Sequence, residues 1–223
     1  MNAITSFIVW GMLSYFLGGI PFGYLFSRIK GIDIRQVGSG NIGATNVFRS
    51  VGKYLGILTF SCDVLKGFIP ACIFPLLSEH FFSYSGGPGL SVLCACLAIA
   101  GHNWPVYLRF KGGKGIATSG GALLGIAPES AGIGLLIWAL VFGISRYVSV
   151  ASLSAVVAVV VSAWFFYIKT GFLVPVVLTC IGAVAAWRHK ENIRRLFNGT
   201  ELRFQLKKNS NSGTKAQSDK GTK

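Results

Sequence analysis

The sequence predicts an all-α, polytopic integral membrane protein of about seven transmembrane helices, some of them short, with the N-terminus outside and the C-terminus cytoplasmic. Three observations carry this. Hydrophobic residues make up 52% of the 223-residue chain, and the mean hydropathy is +0.59. The apolar residues come in long, nearly uncharged blocks rather than at periodic positions. The basic residues gather between those blocks.

Ile4–Phe26, Tyr54–Leu77, Val148–Ile168 and Phe172–Trp187 each approach the roughly 20 residues that cross a hydrocarbon core as a helix. In lipid every backbone amide must find its partner within the chain, and the alternation of a barrel strand is absent, so these runs are expected to be helices. The first run has no basic residue before it and is longer than a signal h-region, so it reads as a retained span. Gly87–Gly101 is a short third span. Ile116–Ile126 and Ala131–Ile144 are either one interrupted span or two short ones. Two are preferred, because Pro128 and Glu129 are costly at lipid depth. Short helices meeting at one face predict a cavity sunk below the cytoplasmic surface. Residues 1–206 read as a single membrane-embedded domain without internal repeats. Residues 207–223 are polar, basic and low in complexity, the composition of a disordered tail.

The formal net charge is +14. Of 21 basic residues, 19 lie in Ser27–Lys53, His102–Gly115, Ser145–Ser149 and Arg188–Lys223, leaving Lys66 and Lys169 elsewhere. The positive-inside rule puts those four segments in the cytoplasm and Met1 outside. The charge is therefore a topology signal, supplemented by attraction to anionic membrane lipid and phosphorylated substrates. No nucleic-acid-reading motif accompanies it, so nucleic acid is not an expected partner, and no obligate protein partner is evident. The five cysteines sit in apolar runs without metal-site spacing, so no metal or cofactor is expected.

Three cytoplasmic segments are too rich in special residues to be simple connectors. Gly38–Arg49 (GSGNIGATNVFR) contains G-x-G-x-x-G but follows a membrane helix, not a strand, so the dinucleotide-binding reading fails. Its glycines can still shape a concavity, with Ser39, Asn41, Thr45, Asn46 and Arg49 as polar groups for a small anion; a solvated Gly/Asn-rich turn has the same composition. His102–Gly121 contains Lys111-Gly112-Gly113-Lys114-Gly115. It lacks the Ser or Thr that follows a Walker A lysine, but sets two ammonium groups and glycine amides at the start of a helix beginning near Ile116. Lipid headgroups would suit such a loop as well. In Arg188–Glu201, His189, Asn192 and Arg195 or Arg194 fall near one helical face, as they would in an interfacial amphipathic helix. Asp63 and Lys66, at i and i+3 within the second span, form either a structural ion pair or the floor of a substrate site.

Together these segments resemble the bacterial membrane acyl-phosphate:glycerol-3-phosphate acyltransferases. The shared patterns are GSGNxGATNxxR at Gly38–Arg49, GHxxPxxxxFKGGKGxAT at Gly101–Thr118 and HxENIxRLxxGxE at His189–Glu201, in order across almost the whole chain. Departures are mild: Trp104 and Ile116 stand where Phe and Val are common. The resemblance implies a multi-pass protein of the bacterial inner (plasma) membrane with its active site on the cytoplasmic side. It implies acyl transfer from acyl phosphate to the 1-hydroxyl of glycerol 3-phosphate, giving 1-acylglycerol 3-phosphate and inorganic phosphate, the first acylation of phospholipid synthesis. Carried over at matching positions, Ser39, Lys114 and His189 are the catalytic candidates. Asn41, Thr45, Asn46, Arg49, His102, Lys111, Gly112, Gly113, Gly115, Asn192, Arg195 and Glu201 are the substrate-binding candidates. The proton acceptor is His189, His102 or a substrate phosphate oxygen, and the resemblance favours the last.

The H-x-x-x-x-D signature of other glycerolipid acyltransferases is missing, since Ser85, Tyr107 and Arg194 follow the three histidines at that spacing; no G-x-S-x-G elbow occurs. A small transporter or lipid flippase is the competing class, suggested by Asp63 and Lys66, but no inverted repeat supports it. We predict that cysteines introduced at Ser39, Gly113 and Thr200 react with an impermeant maleimide only after permeabilisation, and one at Ser85 in intact cells. Reaction of any motif loop from outside would overturn the topology.

Overall fold

The computed structural model describes residues 3–84 and 86–204. Met1, Ser85 and the 207–223 tail, on which expectations were placed above, lie outside the described residues. Among the described residues the chain is helical, without strands. Five stretches are long and apolar enough to cross a membrane: Ala3–Ile29, Lys53–Phe82, Gly87–Leu108, Pro128–Ser145 and Val148–Phe166. Leu173–Arg188 forms a further apolar helix, bent by 53° from Lys190–Phe197.

The helices are α1 (Ala3–Gly19), α2 (Phe22–Ile29), α3 (Ala44–Ser50), α4 (Lys53–Phe68), α5 (Phe74–Phe82), α6 (Gly87–Asn103), α7 (Ile116–Ile126), α8 (Pro128–Ser145), α9 (Val148–Phe166), α10 (Leu173–Arg188) and α11 (Lys190–Phe197). Proline explains two irregularities. Pro21 breaks the first span between α1 and α2, and Pro70 lies in a π-turn, Ile69–Ile73, that joins α4 to α5. A missing amide and a ring that clashes with the preceding turn account for both.

Ile116–Ile144 is two helices, the preferred of the two readings, but the break is not at Pro128-Glu129. Ala127 carries the non-helical conformation (φ −157°, ψ 64°) and Pro128 starts α8, where its lack of an amide donor is harmless. α7 is only 11 residues long and packs against α4 and α6.

Close helix contact is made by small residues, as lipid-embedded helices require. A Cβ on Gly18 of α1 would stand 2.1 Å from the Ala98 carbonyl oxygen of α6, and one on Gly121 of α7 would stand 2.0 Å from the Val64 oxygen of α4. Polar side chains share the interior with apolar ones, while large apolar side chains face outward. Ser14, Thr59, Asp63, Lys66 and Thr118 are buried, while Leu135 is 69% and Phe165 77% exposed. Apolar side chains facing outward around a partly polar interior are what a lipid surround selects.

Candidate active site

The three motif segments converge on one cavity of about 470 Å³. Ser39, Asn41, Thr45, Asn46 and Arg49 line one wall. His102, Lys114 and Gly115 line a second, and His189, Asn192, Arg195 and Glu201 a third. Lys111, Gly112 and Gly113, expected to bind substrate, are not part of the lining, and Lys111 is exposed to solvent.

In the first segment Asn46 is the organiser. Its Nδ2 lies 3.1, 3.0 and 2.9 Å from the carbonyl oxygens of Ile34, Val37 and Asn41, and its Oδ1 accepts from the Ser39 amide at 3.0 Å. Asn41 Oδ1 accepts from the Gly43 amide at 2.8 Å. These two amide side chains therefore hold the loop, which leaves the Ser39 hydroxyl and Thr45 facing the cavity without a side-chain hydrogen bond among the described residues. Arg49 donates to the Leu202 carbonyl at 3.1 Å and stacks on Phe204.

The glycine loop differs from the expected cradle of amides. The Gly113 amide donates to the His102 carbonyl oxygen at 3.1 Å, and Gly113 has no left-handed φ. The side chain is missing because a Cβ would come within 2.0 Å of His102 Nε2. Arg188 reaches the same turn, Nε donating to the Gly113 carbonyl at 2.9 Å and Nη2 to the Gly112 carbonyl at 2.6 Å. Gly112 and Gly113 are thus held by two other segments. This also makes Gly113 a poor labelling position, leaving Ser39 and Thr200 for that experiment. Gly115, Ile116 and Ala117 line the cavity at the start of α7. The first amides of a helix have no intrahelical partner and sit at its positive end. Gly115 takes φ +81° to turn the chain into α7, a conformation open to glycine.

Lys114 donates to Asn192 Oδ1. Asn192 Nδ2 donates to Glu201 Oε1 at 2.7 Å, an oxygen that also accepts from Ser149 at 2.7 Å, and Arg195 Nε donates to Glu201 Oε2 at 2.8 Å. Glu201, expected among the substrate ligands, is turned to protein partners and fixes the amide of Asn192. Burial alone would raise its pKa, but the hydrogen bonds from Ser149, Asn192 and Arg195 lower it below the ordinary glutamate value. Burial, and then the Arg195, Arg188 and Arg49 charges against the attraction of Glu201, bring Lys114 down to about 8. His189 is lowered to about 4, first by burial and next by the Lys114 charge. It is neutral at pH 7. Its Nδ1 lies 2.8 Å from the Ala185 carbonyl oxygen, which only accepts, so the proton is on Nδ1 and the Nε2 lone pair is left to the cavity.

Away from these groups the cavity is apolar, lined by Phe48, Phe60, Trp138, Phe142 and Phe204. Trp138 and Phe142 stack at 4.9 Å on α8, and Trp138 Nε1 donates to Ser152 at 3.2 Å. This wall, Arg188 and Ser149 were not picked out from the sequence. The i, i+4 aromatic pair on α8 was the available signal for the wall. Asp63, left open above, also lines the cavity. No group of three His, Cys, Asp or Glu able to hold a metal occurs among the described residues.

With this geometry the relatives can be read. Residues 8–199 match the family described as "Glycerol-3-phosphate acyltransferase". The chain belongs to the glycerol-3-phosphate acyltransferase family. It is 42% identical over 195 residues to the glycerol-3-phosphate acyltransferase of Aquifex aeolicus (strain VF5), covering 86% of this chain and 96% of that one. With the Rubrobacter xylanophilus enzyme of the same name the identity is 43% over 196 residues, with 86% and 92% covered. The crystal structure of PlsY (YgiH), an integral membrane glycerol 3-phosphate acyltransferase in its glycerol 3-phosphate form, superposes with a TM-score of 0.80 at 39% identity, over 90% of this chain and 96% of that one. These findings identify the chain as a multi-pass membrane acyltransferase.

In this acyltransferase Glu201→Ala would leave the donors of Ser149, Asn192 and Arg195 without their acceptor. It should cost about 1–3 kcal/mol, with half-exposed Arg195 contributing little. The folded-state pKa of Glu201 lies below its ordinary value of 4.5. The stabilisation is therefore complete above pH 4.5 and is lost as pH falls through the lowered value. Thermal unfolding in detergent should show the variant melting several degrees lower at pH 7, with the gap narrowing on acidification. Equal melting temperatures at pH 7 would contradict the assignment.

Proposed function

We propose that the protein transfers the acyl group of an acyl phosphate to the 1-hydroxyl of glycerol 3-phosphate. The products are 1-acylglycerol 3-phosphate and inorganic phosphate, and the site works on the cytoplasmic side of a bacterial inner membrane. One observation carries the reading: a single cavity joins a cationic end, built from Lys114, Arg49 and the start of α7, to an aromatic wall of Phe60, Trp138 and Phe142. A molecule with phosphate at one end and an alkyl chain at the other matches both ends. The orientation is supported by the basic residues that gather on the motif side.

In the reaction the 1-hydroxyl oxygen attacks the acyl carbonyl carbon. The new ester C–O bond forms as the C–O bond to phosphate breaks, and phosphate leaves with the electron pair. Acyl phosphate is a mixed anhydride, so no covalent enzyme intermediate is required. Lys114 and the amides of Gly115–Ala117 stabilise the departing phosphate. Ser39, Arg49 and Asn192 surround the phosphate groups. His189 Nε2 accepts a hydrogen bond from the neighbouring 2-hydroxyl of glycerol 3-phosphate. With a pKa of about 4 it is a weaker base than a phosphate oxygen, whose second pKa is about 6. The 1-hydroxyl proton therefore goes to substrate phosphate, and His189 orients the nucleophile through the 2-hydroxyl.

Purified protein given glycerol 3-phosphate should release phosphate with palmitoyl phosphate and turn over little with palmitoyl-CoA, because no segment offers a platform for the adenosine end. Equal turnover with both donors would sink the donor assignment. A second outcome follows from Lys114. Its free-state pKa is about 8, so the ammonium is lost as pH rises above 8. Calorimetric Kd for glycerol 3-phosphate should weaken on the order of tenfold between pH 7.5 and 9.5. Lys114→Arg, charged throughout, should lose that slope. A wild-type Kd constant over this range would remove Lys114 from the phosphate site.

A further inference from the structure

Asp63 and Lys66 take no part in the chemistry above, although both are buried in α4. Their side chains are 4% and 2% exposed, and Lys66 Nζ stands 2.7 Å from Asp63 Oδ1. Lys66 Nζ also donates to the Ile20 carbonyl oxygen at 2.9 Å, at the break where Pro21 interrupts the helical ladder. A buried ion pair of this kind is often no more stabilising than apolar residues of the same volume. Stability alone therefore does not account for it.

A second neighbour of the same carboxylate does. His102 Nδ1 lies 3.7 Å from the same Oδ1 and makes no hydrogen bond among the described residues. The carboxylate acts on the Nδ1 edge of the ring electrostatically, without a hydrogen bond, and the Nε2 edge faces Gly113. There the ring leaves no room for a Cβ, and the His102 carbonyl accepts the Gly113 amide. Lys114 is the next residue. We infer that Asp63, held by Lys66, is a positioning residue: it orients His102, and His102 forms the bed that sets the Gly112–Gly113 turn and so places the Lys114 ammonium. The inference rests on Lys114 being a phosphate ligand, as proposed above, and not on the choice of acyl donor.

The test is a pair of coupling cycles, read as kcat/KM with whichever acyl donor the wild type uses, as calorimetric Kd for glycerol 3-phosphate, and as melting temperature. Gly113→Ala should lose about a hundredfold in kcat/KM, the scale of one misplaced transition-state donor. Adding His102→Ala should restore roughly tenfold of that, since it removes the atoms the new methyl meets. Asp63→Asn combined with Lys66→Met removes both charges at similar volume. It should lower kcat/KM and weaken Kd in the wild-type background and change neither in the His102→Ala background, because Asp63 acts through His102. Should that variant not fold, Asp63→Glu takes its place in the same cycle. A Gly113→Ala, His102→Ala protein no better than Gly113→Ala, or charge-pair effects that multiply with those of His102→Ala, would overturn the inference. Wild-type protein that does not bind glycerol 3-phosphate would overturn the phosphate reading, and this inference with it. Binding without rescue overturns the positioning role alone.

Discussion

The polar end of the cavity depends on one constraint: Gly112 and Gly113 are held by both His102 and Arg188. The His102 ring occupies the space of a Gly113 side chain, and the Arg188 guanidinium takes both glycine carbonyls. A planar, five-donor guanidinium is suited to two neighbouring oxygens at once. The clasp joins the end of α6 to the end of α10, segments far apart in sequence, and sets where Lys114 and the first amides of α7 point. Glycine is needed here for thinness, not for an unusual φ.

The charges around that clasp form a graded field. Burial discourages the Lys114 ammonium, yet Glu201 keeps enough negative potential nearby to hold its pKa at about 8. The same ammonium helps to keep His189 neutral. An entering phosphate would supply the negative charge that this end lacks, strengthening the Lys114 ammonium. Glu201 completes the arrangement through its protein partners. By engaging Ser149, Asn192 and Arg195 it ties the strand of chain after α11 to α9, and Arg49 fastens the same strand through Leu202.

The bundle that carries this site uses lipid as its apolar surround. Glycines at the α1–α6 and α4–α7 crossings bring backbones close, which lets the 11-residue α7 be enclosed by longer helices. Its buried N-terminal end then opens into the cavity rather than into solvent. The aromatic wall on α8 faces the same space, so a cationic and an aromatic surface adjoin in one cavity.

Much of this was legible in the residues. Block hydropathy determined a helical membrane protein, because only helices or closed barrels satisfy backbone amides in lipid. The three motifs, two of them dense in glycine and all rich in polar or basic residues, marked the segments that meet at the cavity, and Ser39, Arg49, Lys114, His189 and Asn192 all line it. The roles within each motif were decided by tertiary structure. Nothing local distinguishes Asn46, which binds its own loop, from Thr45, which faces the cavity; the carbonyls of Ile34, Val37 and Asn41 make that choice. Lys111 and Lys114 are equivalent in a sequence read for charge, but the turn clamped by His102 and Arg188 sends one to solvent and the other to Asn192. Spacing along the chain reports which groups are available. Which of them face a common space depends on partners 75 residues or more away, and those distances close only when the helices pack.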